Sequence, residues 1–331
     1  MENQHAAISR TKVVLLIIVL SFPLLKSLCC FGQSTLEKGK ILYASKKYPE
    51  AEKIFQSVEE ENKEYAAAQF YLGRIAFDKK EYDDAADFLE EATEFDPKAA
   101  EYFCQLGNAY AEIAKNANML KQSILGPKAK DAWEKAASLD PQNMDARISL
   151  IKFYKFAPGF MGGGMSKAKA TATEVMQLDE AEGHWQMGNL FAYEKNTAEA
   201  EKEFSKMLKA NPDYNKNLAV YYSEQKQYDK AFALLEEVLK KNAEDYSSLY
   251  QFGKTSALSG SKLERGEECL KKYLTHTPAY NEPSTGGAYM RLGQIKEKKG
   301  SKAEAKKYYE LALKQDENLK EAEEGLARTS K

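Results

Sequence analysis

The stretch Ala66–Pro97 reads AAAQFYLGRIAFDKKEYDDAADFLEEATEFDP, and its landmarks are Gly73, Tyr82, Ala85, Ala92 and Pro97. Gly39, Tyr48 and Ala51 precede three of them by one and the same step (73 − 39, 82 − 48 and 85 − 51 all equal 34), and Gly107 follows Gly73 by that step again (107 − 73). A fixed period of this length is the signature of a stacked repeat. Within the stretch, Phe70–Phe77 has apolar residues at helical spacing, with Leu72, Ile75 and Ala76 on one side. Asp78-Lys79-Lys80-Glu81 is polar and ends that helix. A second helix starts near Asp83, whose acids meet the positive end of its dipole. Its apolar stripe is Ala85, Ala86, Leu89 and Ala92, and Asp96-Pro97 stops it because a residue before proline is pushed out of the α region. One such hairpin cannot bury its own apolar face, so it must stack on a neighbour.

Working outward, the pattern predicts units near 35–62, 66–97, 98–143, 144–180, 181–212, 213–242, 243–278 and 287–316, followed by a charged capping helix in 318–331. In the third unit the interval from Gly107 to Ala129 is 129 − 107 = 22, where that from Gly73 to Ala85 is 85 − 73 = 12. About ten residues are therefore inserted within 115–127, either lengthening both helices or forming a protruding loop. The fourth unit carries APGFMGGGMSK (157–167) between its helices. Three consecutive glycines invite a phosphate-loop reading, but no Lys-Ser/Thr follows in the required pattern and no strand precedes. The sixth unit has Ala219 where the glycine belongs.

Small residues on one helix, with Ala and an aromatic on the next at this period, resemble the tetratricopeptide repeat, and the resemblance covers about residues 34–317. It implies an all-α fold: a right-handed α-α superhelix, or solenoid, of about eight helix hairpins. It further implies a protein-binding scaffold in which the first helix of each unit lines a concave groove. Reading one position past each landmark gives Lys40, Arg74, Asn108, Lys152, Asn189, Val220, Lys254 and Gln294. Phe70, Phe77, Trp185, Tyr193 and Tyr250 lie about a turn away. Rings beside amides and lysines suit an extended peptide, with Trp185 as the expected anchor. The competing reading is an ordinary wet helix face. The Lys–Asn pairing of the chaperone-tail carboxylate clamp is missing, since Cys104 precedes Asn108 and Trp185 precedes Asn189.

Residues 1–32 differ from the rest. Arg10 and Lys12 precede VVLLIIVL (13–20), with a small residue at Gly32, which reads as a bacterial secretory signal cleaved after Gly32. A retained membrane anchor is the alternative. A lipoprotein at Cys29 or Cys30 is a third reading, against which Leu28 stands where a small residue is required. The expectation is therefore an exported, periplasmic or cell-envelope protein, touching membrane only through this segment.

Composition bounds the chemistry. The formal charge of −2 gives no electrostatic case for nucleic acid. Three histidines, His5, His184 and His276, lie far apart, and no nucleophile or acid–base motif accompanies them. His184 opens a helix and is expected at the surface or in packing. Cys104 and Cys269 fall in distant units and show no metal-ligand spacing. The expectation is a non-enzymatic scaffold for a protein or peptide, without catalytic residues, metal or cofactor. A membrane-tethered assembly factor is the alternative in the same spirit, and an enzyme or nucleotide-binding protein the alternative of another class.

Overall fold

The computed structural model describes residues 34–279 and 282–330. The expected signal, 1–32, lies outside the described residues. Those residues form seventeen α-helices and two short 3-10 turns, with no strand among them. In order they are α1 (Thr35–Ala44), α2 (Tyr48–Gln56), α3 (Tyr65–Asp78), α4 (Tyr82–Phe95), α5 (Ala100–Lys115), α6 (Met119–Leu139), α7 (Met144–Phe156), α8 (Met165–Leu178), α9 (Glu180–Tyr193), α10 (Thr197–Ala210), α11 (Asn215–Glu224), α12 (Tyr228–Lys241), α13 (Tyr246–Ser259), α14 (Leu263–Tyr273), α15 (Thr285–Lys298), α16 (Lys302–Gln315) and α17 (Lys320–Thr329). The described residues divide inside α8, between 171 and 172, into two compact units. In each unit consecutive helices pack as hairpins, and first helices also touch: α1, α3, α5 and α7 in one unit, α11, α13, α15 and α17 in the other. This is the helical solenoid that the repeat pattern implies.

The turn inside a regular hairpin is always built alike. Lys46, Lys80, Lys195 and Lys226 adopt left-handed backbone (φ 55°, 67°, 62° and 58°), and Gly300 takes the same place at φ 77°. The next residue's N–H then donates back to the helix: Lys47 to Leu42 O, Glu81 to Ala76 O, Asn196 to Phe191 O, Gln227 to Tyr222 O and Ser301 to Lys296 O, all at 2.8–2.9 Å. Such closure satisfies carbonyls that a helix end leaves orphaned.

Each landmark glycine is a socket. A Cβ on Gly73 would stand 2.6 Å from Leu89 Cγ, and the other sockets meet Phe55 (Gly39), Trp133 (Gly107), Phe204 (Gly188), Leu270 (Gly253) and Tyr309 (Gly293) at 2.2–2.6 Å. Four of these pairs share one interval, 89 − 73 = 16. That of the third repeat is 133 − 107 = 26, the same interval plus the insert. Large side chains of the second helices thus enter the first helices where no Cβ blocks them, and most end fully buried.

Hydroxyls strap neighbouring hairpins together. Tyr110 on α5 donates to Glu90 on α4, Tyr154 on α7 donates to Glu134 on α6 at 2.6 Å, and Tyr222 on α11 donates to Glu201 on α10 at 2.6 Å. Burial and the carboxylate acceptor push the Tyr110 and Tyr222 phenols well above their usual range.

The insert lengthens both helices of its hairpin. α5 has 16 residues and α6 has 21, with Pro127 inside α6, against 14 and 14 in α3 and α4. The glycine-rich stretch 157–167 is a compact turn. Gly159–Met161 forms one 3-10 turn, Gly162 is left-handed, and a Cβ on Gly163 would fall 1.8 Å from Ala157 O.

Candidate protein-binding surface

The first helices place the sequence-derived residues unequally. Phe70 does not face solvent: it is 2% exposed and stacks on Tyr102 of α5 at 4.5 Å. Its position points at the neighbouring hairpin, so the ring belongs to packing between repeats and is not an accessible anchor. Phe77 is half-buried against Tyr82 of its own hairpin at 5.2 Å. Asn108 is occupied as well, since its Oδ1 accepts from Trp133 Nε1 at 3.0 Å. Lys152 is exposed.

Trp185 is half-buried among Phe204 (5.6 Å), Tyr214 (6.4 Å) and Tyr221 (6.4 Å), at the edge of the core built by α9–α12. It therefore packs against both its own repeat and the following one, and is not a freely exposed ring. Asn189 Nδ2 donates to Trp185 O at 2.7 Å, holding its own helix. Tyr193 is 51% exposed.

Arg74 is the cation around which the first unit's helix face is arranged. Its guanidinium lies 5.0 Å from the Tyr43 ring centre, 5.5 Å from Phe70 and 5.8 Å from Tyr71, and Nη1 is 3.5 Å from Glu101 Oε1. It spans α1, α3 and α5, with its side chain 35% exposed. A guanidinium on stacked rings remains charged while its edges stay available to a carboxylate.

In the second unit the structure brings Tyr250 and Lys254 together. Both line a cavity of about 170 Å³ with Lys216 and Val220 of α11, Gln251 of α13 and Pro283. Lys216 holds Asp245 at 3.2 Å, whereas Lys254 makes no salt bridge among the described residues. Ser248 also lines the cavity. Its N–H donates to Oδ1 of the N-cap Asp245 at 2.9 Å, and its Oγ is buried. Beside them, Arg291 of α15 donates to Gln294 Oε1 at 2.9 Å and Glu321 Oε2 at 2.8 Å, while its buried Nε is unpartnered among the described residues. Burial raises the Glu321 carboxyl, but Arg291 and Gln294 outweigh it and leave it below the usual carboxylate range. Sequence reasoning missed Lys216, Ser248 and Arg291, because all three lie off the single position sampled after each landmark. They precede their landmarks Ala219, Gly253 and Gly293 by three, five and two residues, so no one further position would have gathered them.

The remaining polar clusters are structural. His184 is buried, with Nδ1 2.6 Å from Glu203 Oε2. Cys104 and Cys269 are buried free thiols, which burial pushes up to about 12 and about 11, so neither is a ready nucleophile. Among the described residues no three His, Cys, Asp or Glu gather as metal ligands, and no helix is long and apolar enough to cross a membrane.

Three family models, each described as a tetratricopeptide repeat, match residues 36–100, 217–244 and 286–319. No curated protein sequence matches the chain. Among solved structures, a tetratricopeptide repeat protein from Parabacteroides merdae is similar over 90% of this chain and 98% of its own, at 14% identity and a TM-score of 0.52. A thermophilic tetratricopeptide protein from Thermus thermophilus aligns with 58% of this chain and 97% of its own, at 20% identity and a TM-score of 0.44. With its glycine sockets, its succession of helix hairpins and the three family matches together, the chain is a tetratricopeptide repeat protein.

Proposed function

We propose that the chain is a non-enzymatic protein-interaction scaffold that holds an extended peptide against the first helices, with its main contact in the second unit. One observation carries this reading: the cavity that Tyr250 and Lys254 line together with Val220 and Gln251. Tyr250 offers a ring for an apolar side chain, Lys254 attracts a carboxylate, and Gln251 offers hydrogen bonds to peptide backbone. The peptide this site favours is acidic, with a bulky apolar residue beside the acid. Arg74 on its aromatic shelf is a second docking point of the same chemistry.

Export belongs to the same reading and rests on the sequence of residues 1–32 alone. Mass spectrometry of the protein from its native host reads this directly: a chain starting at Gln33 supports it, and an intact Met1 or a lipidated cysteine refutes cleavage after Gly32.

A displayed library of linear peptides, selected against the full chain, tests the scaffold reading. Acidic peptides should emerge, and Lys254→Glu should weaken them tenfold or more, while Tyr250→Ala weakens those with the apolar residue. Both variants should keep their helical circular dichroism. Selection of no peptide, or of peptides indifferent to both changes, contradicts the proposal.

A further inference from the structure

The first unit holds a larger cavity, of about 450 Å³, that the peptide reading does not use. It lies where the insert has lengthened α5 and α6, and the turn after α7 closes one side. Met119, Trp133, Phe153, Phe156, Phe160 and Met161 supply its walls. Gly126 faces into it: a Cβ there would meet only the Met161 methyl, at 2.7 Å, and Phe153 at 3.6 Å. Met119 and Phe160 are each 81% exposed and Phe156 65%, so the rim is apolar too. A cavity of this size with aromatic walls and few polar groups has the character of a small-molecule site, and clustered exposed apolar side chains are what a ligand would cover.

Charge says which ligand. Three polar residues line the cavity, and two are already engaged: Gln122 Nε2 donates to Ala117 O at 3.0 Å and Ser123 Oγ to Leu120 O at 2.8 Å. Lys115 remains, and no carboxylate is in the lining. Its partner Glu112, at 3.3 Å, forms an exposed pair of the kind that exchanges readily. Lys130 and Lys167 approach the closing turn at Gly162, Lys167 donating to Gly162 O at 3.0 Å. The acids facing this group are Asp131 and Glu134, both on Lys130. The sequence shows the same bias: neither 115–130 nor 146–173 contains an Asp or Glu. An extended peptide would need several free backbone partners, which these walls do not offer.

We propose that this pocket binds a single-chain anionic amphiphile, of the fatty-acid class, with its acyl chain between α5, α6 and the 157–161 turn and its head group at Lys115. The site is separate from the peptide surface of the second unit and stands or falls independently of it. Trp133 Nε1 also holds Asn108, so the ligand would sit one hydrogen bond from the first-helix face.

Trp133 provides the readout, because the chain has only two tryptophans. In the full chain carrying Trp185→Phe, dansyl-undecanoic acid below its micellar concentration should quench Trp133 by energy transfer, saturably and at one per chain. Dodecanoate should displace it at least tenfold better than dodecyltrimethylammonium. Ala111→Phe, which fills the cavity from its α5 wall, should weaken the probe tenfold or more. Phe160→Ser, at an exposed position, should weaken it severalfold, with the melting curve showing that each variant folds. Lys115→Glu should weaken dodecanoate and spare dodecanol. The proposal is overturned by absent or non-saturable transfer, by equal displacement with the cationic amphiphile, by transfer that appears only with vesicles, or by folded Ala111→Phe and Phe160→Ser variants that bind unchanged.

Discussion

The hairpins α3–α4 and α5–α6 are neighbours in the same unit and obey the repeat to different degrees. In α3–α4 every landmark falls in place: Gly73 receives Leu89, Lys80 makes the left-handed turn, and both helices have 14 residues. In α5–α6 the socket survives, with Trp133 in Gly107, yet the turn is replaced and both helices run on. The contact between helices is thus fixed near the socket and free at the turn. Added residues extend both helices past the stack, where their apolar surface has no repeat to cover it, and a pocket forms there. The regular hairpin, turned back at once by Lys80, has no such overhang. The hairpin α13–α14 departs in another way. Its turn carries Gly260 and a left-handed Lys262, α14 has only 11 residues, and Glu267 ties it to α15 through Lys296 at 2.8 Å and Lys299 at 3.1 Å.

The largest effect expected from this contrast is at the regular socket. Gly73→Leu should destabilise by about 3 kcal/mol, since the added side chain collides with Leu89 and the stack cannot relax locally. Thermal unfolding measures it, and an unchanged melt breaks the socket account.

Glu267 comes next. Burial raises its carboxyl, but Lys271, Lys296 and Lys299 outweigh this and hold it at about 2, against an ordinary 4.5. A depressed folded value means that its contribution is present above about 4.5 and is lost as pH falls toward 2. Glu267→Gln should cost about 2 kcal/mol at neutral pH, because it removes the buried carboxylate partner of Lys296 and leaves that lysine only Glu304, at 2.7 Å. The variant should also lose less stability than the parent between those two pH values. Parallel acid titrations of the two proteins would refute the assignment.

Removing a strap is milder. Tyr154→Phe should cost about 1.5 kcal/mol, the range of a hydrogen bond to a charged acceptor, and Glu134→Gln should remove part of the same energy in a double-mutant cycle. Additive losses would mean that the strap contributes nothing as a pair.

The smallest change sharpens the contrast with Gly73. Gly126→Ala should stay within about 0.5 kcal/mol of the parent or stabilise it, since the methyl meets only a pliant Met161 end and alanine favours helix. A loss as large as that at Gly73 would show that the long hairpin is packed like the regular one.

The fold was readable because the period repeats the same physics. Gly39, Gly73 and Gly107 recur where close approach is needed, and Pro97 and Pro141 fall where second helices end. The partners of those glycines, Phe55, Leu89 and Trp133, are also in the sequence, one helix further on. The straps were legible in the same way: Tyr110 and Glu90, like Tyr154 and Glu134, are 20 residues apart. The site was less readable. Phe70 and Trp185 sit at positions that the helical wheel places near the groove, but the stacked neighbours Tyr102 and Tyr214 decide whether such a ring is covered. Each of those neighbours belongs to the following repeat (102 − 70 = 32 and 214 − 185 = 29), and the local pattern carries no information about them. Tyr250 and Lys254 are one helical turn apart, and the structure does bring them together.

The most direct test of the scaffold account is a photo-crosslink. A benzoylphenylalanine placed at Val220, in the Tyr250–Lys254 cavity, and another at Lys240, exposed on the second helix α12, would each be irradiated with a peptide selected against the full chain. The account predicts a crosslink from position 220, competed by unlabelled peptide, and none from 240. Capture at 240 with none at 220 would contradict it.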